Sequence, residues 1–174
     1  MPLSMHAASA PVFIQLLTAL SGLLDKAEAH ARARKIEPKV LLEQRLFPDM
    51  FAFVRQVQLT SDFAKGACAR LAGVEVPVYD DNEQSFPELK ARIARTIDFV
   101  KSLKPADFEG AETRDVTIRI AGKPVVMKGE PYLLHFALPN FYFHATTAYA
   151  ILRHAGIELG KLDFVGTVPG LTLR

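Results

Sequence analysis

Large apolar side chains recur at helical spacing early in the chain, at Phe13, Leu16, Leu17, Leu20, Leu23 and Leu24, which predicts one long helix with a single buried stripe. The stripe continues through Ala27 to a basic end at His30, Arg32, Arg34 and Lys35. These charges suit the negative end of a helix dipole, so the helix is predicted to finish near Ile36. Pro38 punctuates the chain, and residues 39–45 predict a short helical turn. Pro48 then stands where the first turn of a second long helix accepts a proline. The stripe of that helix, Phe47, Met50, Phe51, Val54, Val57, Ala64, Cys68 and Leu71, stops at Gly73. Residues 74–84 lack helical periodicity and are numerous enough to cross the length of a bundle, which permits parallel neighbouring helices.

Ser85, Phe86, Pro87 and Glu88 spell a capping box that opens a third helix. Leu89, Ile93, Ile97, Val100 and Leu103 form its buried face, and Pro105 ends it. The period then changes to alternation: Val116, Ile118 and Ile120, a turn over residues 121–124, then Val125 and Met127, a small β-hairpin. An isolated hairpin is marginal in water, so this one is expected to lie against the helices as a cover. A fourth helical region opens around Pro131, breaks or kinks at Pro139 and runs from Asn140 to His154, followed by a tail from residue 157 onward. The fold class is therefore all-α, a four-helix bundle with a small hairpin inserted before the last helix, expected as a single domain over residues 1–174.

Composition narrows the function. With 174 residues, 49% hydrophobic and 23% charged, the chain can build a substantial core, which excludes disorder as its main state. Its 21 basic and 19 acidic side chains do not make the field on which non-specific nucleic-acid binding relies, so no nucleic-acid partner is expected. Residues 7–24 carry no charge, but Pro11, Gln15, Thr18, Ser21 and Gly22 interrupt them and no Lys or Arg precedes them. Neither a membrane span nor a secretory signal is expected. The lone Cys68 excludes an internal disulfide and fits a reducing compartment, so a cytoplasmic location is expected.

Polar residues at otherwise buried positions are the candidates for chemistry. Asn140 and His144, four apart on the last helix, present an inward pair on the face continued by Ala148 and Ile151. One reading is a buried histidine bonded to the backbone with Asn140 as a helix cap; the other is contact with a metal or substrate. Asp49, read at the start of the second helix, either serves the helix dipole or completes a carboxylate, imidazole and amide set for a divalent cation. His135 falls on roughly the opposite face, His154 sits at the helix's carbonyl end, His30 at the basic end of the first helix, and His6 near the N-terminus. No nucleophile elbow, phosphate loop or dinucleotide fingerprint occurs, so neither covalent catalysis nor a nucleotide or flavin is indicated.

At these residues the chain resembles an uncharacterised bacterial family of DinB-like proteins, known as a domain of unknown function. The resemblance lies in Arg45-Leu46-Phe47-Pro48-Asp49-Met50, in Gln56-Val57-Gln58, in Ser85-Phe86 with Glu88-Leu89, and in Leu138-Pro139-Asn140-Phe141-Tyr142-Phe143-His144 followed by Ala148-Tyr149-Ala150-Ile151-Leu152-Arg153-His154. It implies the DinB/YfiT-like four-helix bundle, whose better-understood members look like metal-dependent enzymes, several of them thiol-dependent transferases or isomerases. That superfamily places one histidine near the start of its second long helix and an H-x-x-x-H pair on the last. Here the pair reads Asn140-x-x-x-His144, and Asp49 matches the remaining ligand. Three readings follow: a small-molecule metalloenzyme of transferase or hydrolase type holding one divalent metal ion on Asp49, Asn140 and His144; a metal-free protein binding a small organic ligand beneath the hairpin; and a homodimer that acts only through its subunit interface.

Overall fold

The structure, a computed structural model, describes residues 3–171. Four long helical stretches make the bundle: α1 (Ala10–Arg34), α3 (Phe53–Ala72), α4 (Phe86–Ser102) and α6 (Leu138–His154), with short α2 (Pro38–Leu42) between the first two. Strands β1 (Asp115–Ile120) and β2 (Lys123–Lys128) form an antiparallel hairpin ahead of α5 (Gly129–Tyr132), and α7 (Lys161–Val165) follows α6. The predicted four-helix bundle with a hairpin inserted before its last helix is the observed architecture.

The sequence dictates these elements locally. Pro11 opens α1, and the chain leaves it through Lys35 in the left-handed conformation, with the Ile36 amide bonded to the Ala31 carbonyl at 2.8 Å. The Ser85 hydroxyl accepts the Glu88 amide at 3.3 Å, and the Glu88 carboxylate turns back to the Gln84 amide, one residue before the cap. In the hairpin Val116 pairs with Met127 and Ile118 with Val125, and the buried Val116 and Ile118 face the bundle. The hairpin returns to the bundle at Gly129, where an added Cβ would stand 1.8 Å from the Ala111 carbonyl oxygen, a contact that only glycine allows.

The core runs between the helices as one connected cluster, with the Phe13 and Phe141 rings edge to face at 4.8 Å. The middle helix of this packing is α3, which lies against α1, α4 and α6. Its Ala64, Gly66, Ala67, Cys68 and Ala69 are all buried, and these small residues let the neighbouring helices approach.

Two expectations need correction. The second long helix starts at Phe53, not near Pro48. Residues 45–52 form an irregular turn held by Met50 N–H to the Phe47 carbonyl and by Phe53 N–H to the Gln44 carbonyl at 2.8 Å, and Phe47 and Phe51 are exposed rather than part of the stripe. The second correction concerns the break or kink expected at Pro139: the helical run does not break there. The turn before it, Leu133–Ala137, is π-helical, with Leu138 N–H bonded to the Leu133 carbonyl five residues back. A wider turn relieves the clash that a proline ring makes with the preceding turn, so Gly129 to His154 is helical throughout.

Candidate functional site

His144 is buried on the face of α6 that meets α3, and its Nδ1 lies 2.8 Å from Gln56 Oε1. The Gln56 carboxamide is oriented from its other end, where Nε2 donates to the Phe51 carbonyl at 3.2 Å. Its oxygen therefore faces the imidazole, and Nδ1 must carry the proton and donate it. That fixes the tautomer and leaves the Nε2 lone pair as the acceptor. Burial, aided by the positive charge of Arg55, pushes the His144 pKa down to about 4, so the ring is neutral near pH 7. Phe63 stacks on it at 5.5 Å, and Phe143 meets it edge to face at 5.2 Å.

Asn140, one turn earlier, spends its amide group on its own helix, with Nδ2 donating to the Phe136 carbonyl at 2.8 Å. This bond sits beside the π-turn. Asp49 does not begin a helix; it is exposed in the turn of residues 45–52. His135 is exposed, His154 ends α6, and His6 packs its ring against Phe108 at 5.1 Å. Cys68 is fully buried, and burial pushes its thiol up to about 12, which suits a core residue and not a nucleophile.

The donor set does not fit a resident divalent cation. Among the three expected ligands only His144 offers a strong donor with a free lone pair, while Asn140, its Nδ2 held by the Phe136 carbonyl, offers only a weak amide oxygen and Asp49 lies in an exposed turn. Among the described residues, no group of three or more His, Cys, Asp or Glu side chains is placed to hold a metal ion.

A cavity of about 550 Å3 lies one ring away from His144, beneath the hairpin. Gln56, Phe63 and Arg70 are spaced by seven on α3 and so share a face, which spans about 21 Å along the axis. Gln56 meets His144, Phe63 meets Phe136 with ring centres 6.0 Å apart, and Arg70 meets Tyr132, so α3 and the last helical run are antiparallel. The cavity occupies the Phe63 to Arg70 part of this groove. Leu59, Phe63 and Phe136 form its apolar wall, the hairpin borders it through Thr117, Ile118, Arg119 and Pro124, and Asp62, Arg70 and Tyr132 bring polar groups to it. Phe63 is the shared partition, since it lines the cavity and stacks on the imidazole.

The other side of α3 is packed with paired charge. Arg92 of α4, its side chain wholly buried, reaches Asp62 at 2.8 Å, Asp81 at 2.9 Å and Glu83 at 2.9 Å. Lys65 also pairs with Asp62 at 2.8 Å, and Arg55 pairs with Asp81. The Tyr79 ring receives Lys65, Arg92 and Arg95 over its face. Burial pushes the Glu83 carboxyl up, but hydrogen bonds from Arg92 and Gln58 outweigh it and hold the group below its ordinary value. The segment of residues 74–84 is thereby fastened across α3 and α4.

Sequence reasoning found His144 but missed Gln56, Phe63, Arg70 and Tyr132. The signal was present as two polar residues, Gln56 and Arg70, fourteen positions apart on an apolar helical face.

A helical bundle that keeps a neutral histidine in its core and a cavity under an inserted hairpin defines a class of small α-helical proteins with a side-opening pocket. Residues 5–165 match the model of the family described as domain of unknown function DUF1993, and the chain belongs to that family, a DinB-like one. A crystal structure of a DinB family member protein from Shewanella denitrificans shares 38% identity with it, covers 97% of this chain and 96% of that chain, and superposes with a TM-score of 0.88. No curated protein matches the chain. No helix among the described residues is long and apolar enough to cross a membrane.

Proposed function

We propose that this protein binds a small organic molecule, without a resident metal, in the cavity between α3, the hairpin and the helical run of residues 129–154. The observation that carries this reading is the cavity itself. Its volume of about 550 Å3 falls in the range of small-molecule sites, and its apolar wall with a few polar groups is the usual composition of such sites. Binding is favoured over catalysis by the state of the reactive groups. The Cys68 thiol is held protonated, and a histidine with a pKa of about 4 is a weak base at neutral pH. His144 and Gln56 act here as the support that holds the Phe63 partition.

Titration with the neutral fluorescent dye N-phenyl-1-naphthylamine tests the reading. One saturable site is expected on the wild type, and Thr117→Trp, which fills the cavity from an exposed strand position, should abolish it without lowering the melting temperature. Absence of dye binding, or equal binding by the variant, overturns the proposal. A zinc or manganese-induced rise in melting temperature that His144→Ala removes would reinstate the metal reading in its place.

A further inference from the structure

The charges around the cavity do not balance. Asp62 is the only acidic residue lining it, and its carboxylate is already shared by Arg92 and Lys65, each at 2.8 Å. The two arginines of the lining have no such partner. Among the described residues neither Arg70 nor Arg119 lies within ion-pair distance of a carboxylate. Arg70 makes one long contact, Nη1 to the Tyr132 hydroxyl at 3.4 Å, and Arg119 bonds the carbonyl of Gly122 in its own turn at 3.2 Å. Most of their donors are uncommitted.

The floor of the groove is also shaped around Arg70. A Cβ on Gly66, one turn earlier on α3, would stand 2.5 Å from Arg70 Nη1, so the guanidinium lies back over the helix in space that only a glycine leaves open. The Tyr132 hydroxyl beside it is pushed up in pKa by burial, against the pull of the Arg70 charge, and stays a neutral donor. A planar fork of donors and a neutral hydroxyl, with a second, exposed arginine on the bordering hairpin, have the chemistry that an oxyanion requires.

We propose that the cavity takes an anionic amphipathic molecule, its carboxylate or other oxyanion head held by Arg70, Tyr132 and Arg119 and its apolar body lying on Leu59, Phe63 and Phe136. This inference rests on the binding reading above and adds the sign of the ligand's charge and the direction in which it lies. The head group replaces the carboxylates that these two arginines lack, and the body covers the apolar wall.

A matched pair of dyes tests it, N-phenyl-1-naphthylamine and its 8-sulfonate, which differ only in the anionic group. On the wild type the sulfonate is expected to bind about tenfold tighter or more than the neutral dye, as charge-assisted hydrogen bonds to guanidinium predict. Arg70→Gln should bring the two affinities within about threefold of each other, the sulfonate losing far more affinity than the neutral dye. Raised salt should narrow the wild-type difference in the same direction. Equal affinities on the wild type, or a sulfonate preference that survives both Arg70→Gln and Arg119→Gln, would overturn the inference and leave the binding reading standing. Binding of neither dye would remove both.

Discussion

On one side of α3, Arg92 is enclosed by Asp62, Asp81 and Glu83; on the other, Arg70 meets a single tyrosine hydroxyl. Both arginines stand at α3, yet one has a full set of counter-charges and the other has none among the described residues. The difference follows from water. The Arg92 side chain is wholly buried, and a cation without solvent persists only when paired. Arg70 borders an open cavity, where solvent or a ligand can satisfy it, so the fold needs no acid beside it. Residues 74–84 supply two of the counter-charges on the closed face, the Asp81 and Glu83 carboxylates, and a neutral acceptor, the Asp80 carbonyl. Structure is stabilised on one face of the helix, and binding capacity is left open on the other.

The sharpest way to break this comparison is to remove one arginine at a time. Arg92→Met should cost about 3 kcal/mol, because it strands Glu83, the one buried carboxylate of the three and the one that pairs with no other cation among the described residues, while Asp62 keeps Lys65 and Asp81 keeps Arg55. Arg70→Met, with no partner to strand, should cost less than about 1 kcal/mol. Urea denaturation of both variants checks this, and similar losses would show that the two faces carry the same structural weight.

Acid should separate the faces more finely. Unfolded, His144 titrates near 6.5; folded, it titrates at about 4. Between these values the unfolded chain holds a proton that the native chain refuses, so stability is full above pH 6.5 and declines as pH falls toward 4. Glu83 has the sign of a depressed acid. Its contribution is present above its ordinary value of 4.5 and is lost only as pH falls through its lower folded value. The urea midpoint of wild type should therefore begin to fall in the window from 6.5 to 4.5, and His144→Gln should flatten that window while keeping the steeper loss below it. A slope between 6.5 and 4.5 that survives in His144→Gln would assign the effect to other groups.

The closed and open faces were unequally legible in the sequence. The bundle, the hairpin and the capping serine came from periods of 3.6 and 2 and from a four-residue cap, all local signals. The second helix was read too early because Phe47 and Phe51 fall at stripe spacing although both face solvent; apolar spacing alone does not distinguish a buried stripe from exposed aromatics in a turn. Pro139 was read as a break or kink because the feature that accommodates it, a π-turn just ahead of it, depends on a hydrogen bond five residues long that has no sequence signature. His144 was found because a histidine on an apolar face stands out. Its partner Gln56 is 88 positions away, and the carboxylates around Arg92 come from an irregular segment. Pairings of this kind are set by tertiary packing.

The smallest change separates stability from binding most cleanly. In Gly66→Ala the new methyl group collides with Arg70 Nη1, the far end of a flexible side chain, and with no backbone, so the guanidinium can swing away at little cost. Alanine also gains about 1 kcal/mol over glycine in a helix interior. The melting temperature should therefore hold or rise slightly. The preference for the sulfonated dye over the neutral one should nevertheless fall, because the displaced guanidinium no longer lies beside Tyr132 on the groove floor. Were Gly66→Ala to bind the anion as the wild type does, Arg70 would reach its ligand from more than one position, and the glycine would be there for helix packing alone. A stabilised variant with a weakened anion preference would instead establish that α3 gives up helix stability at Gly66 to hold a cation at the open face.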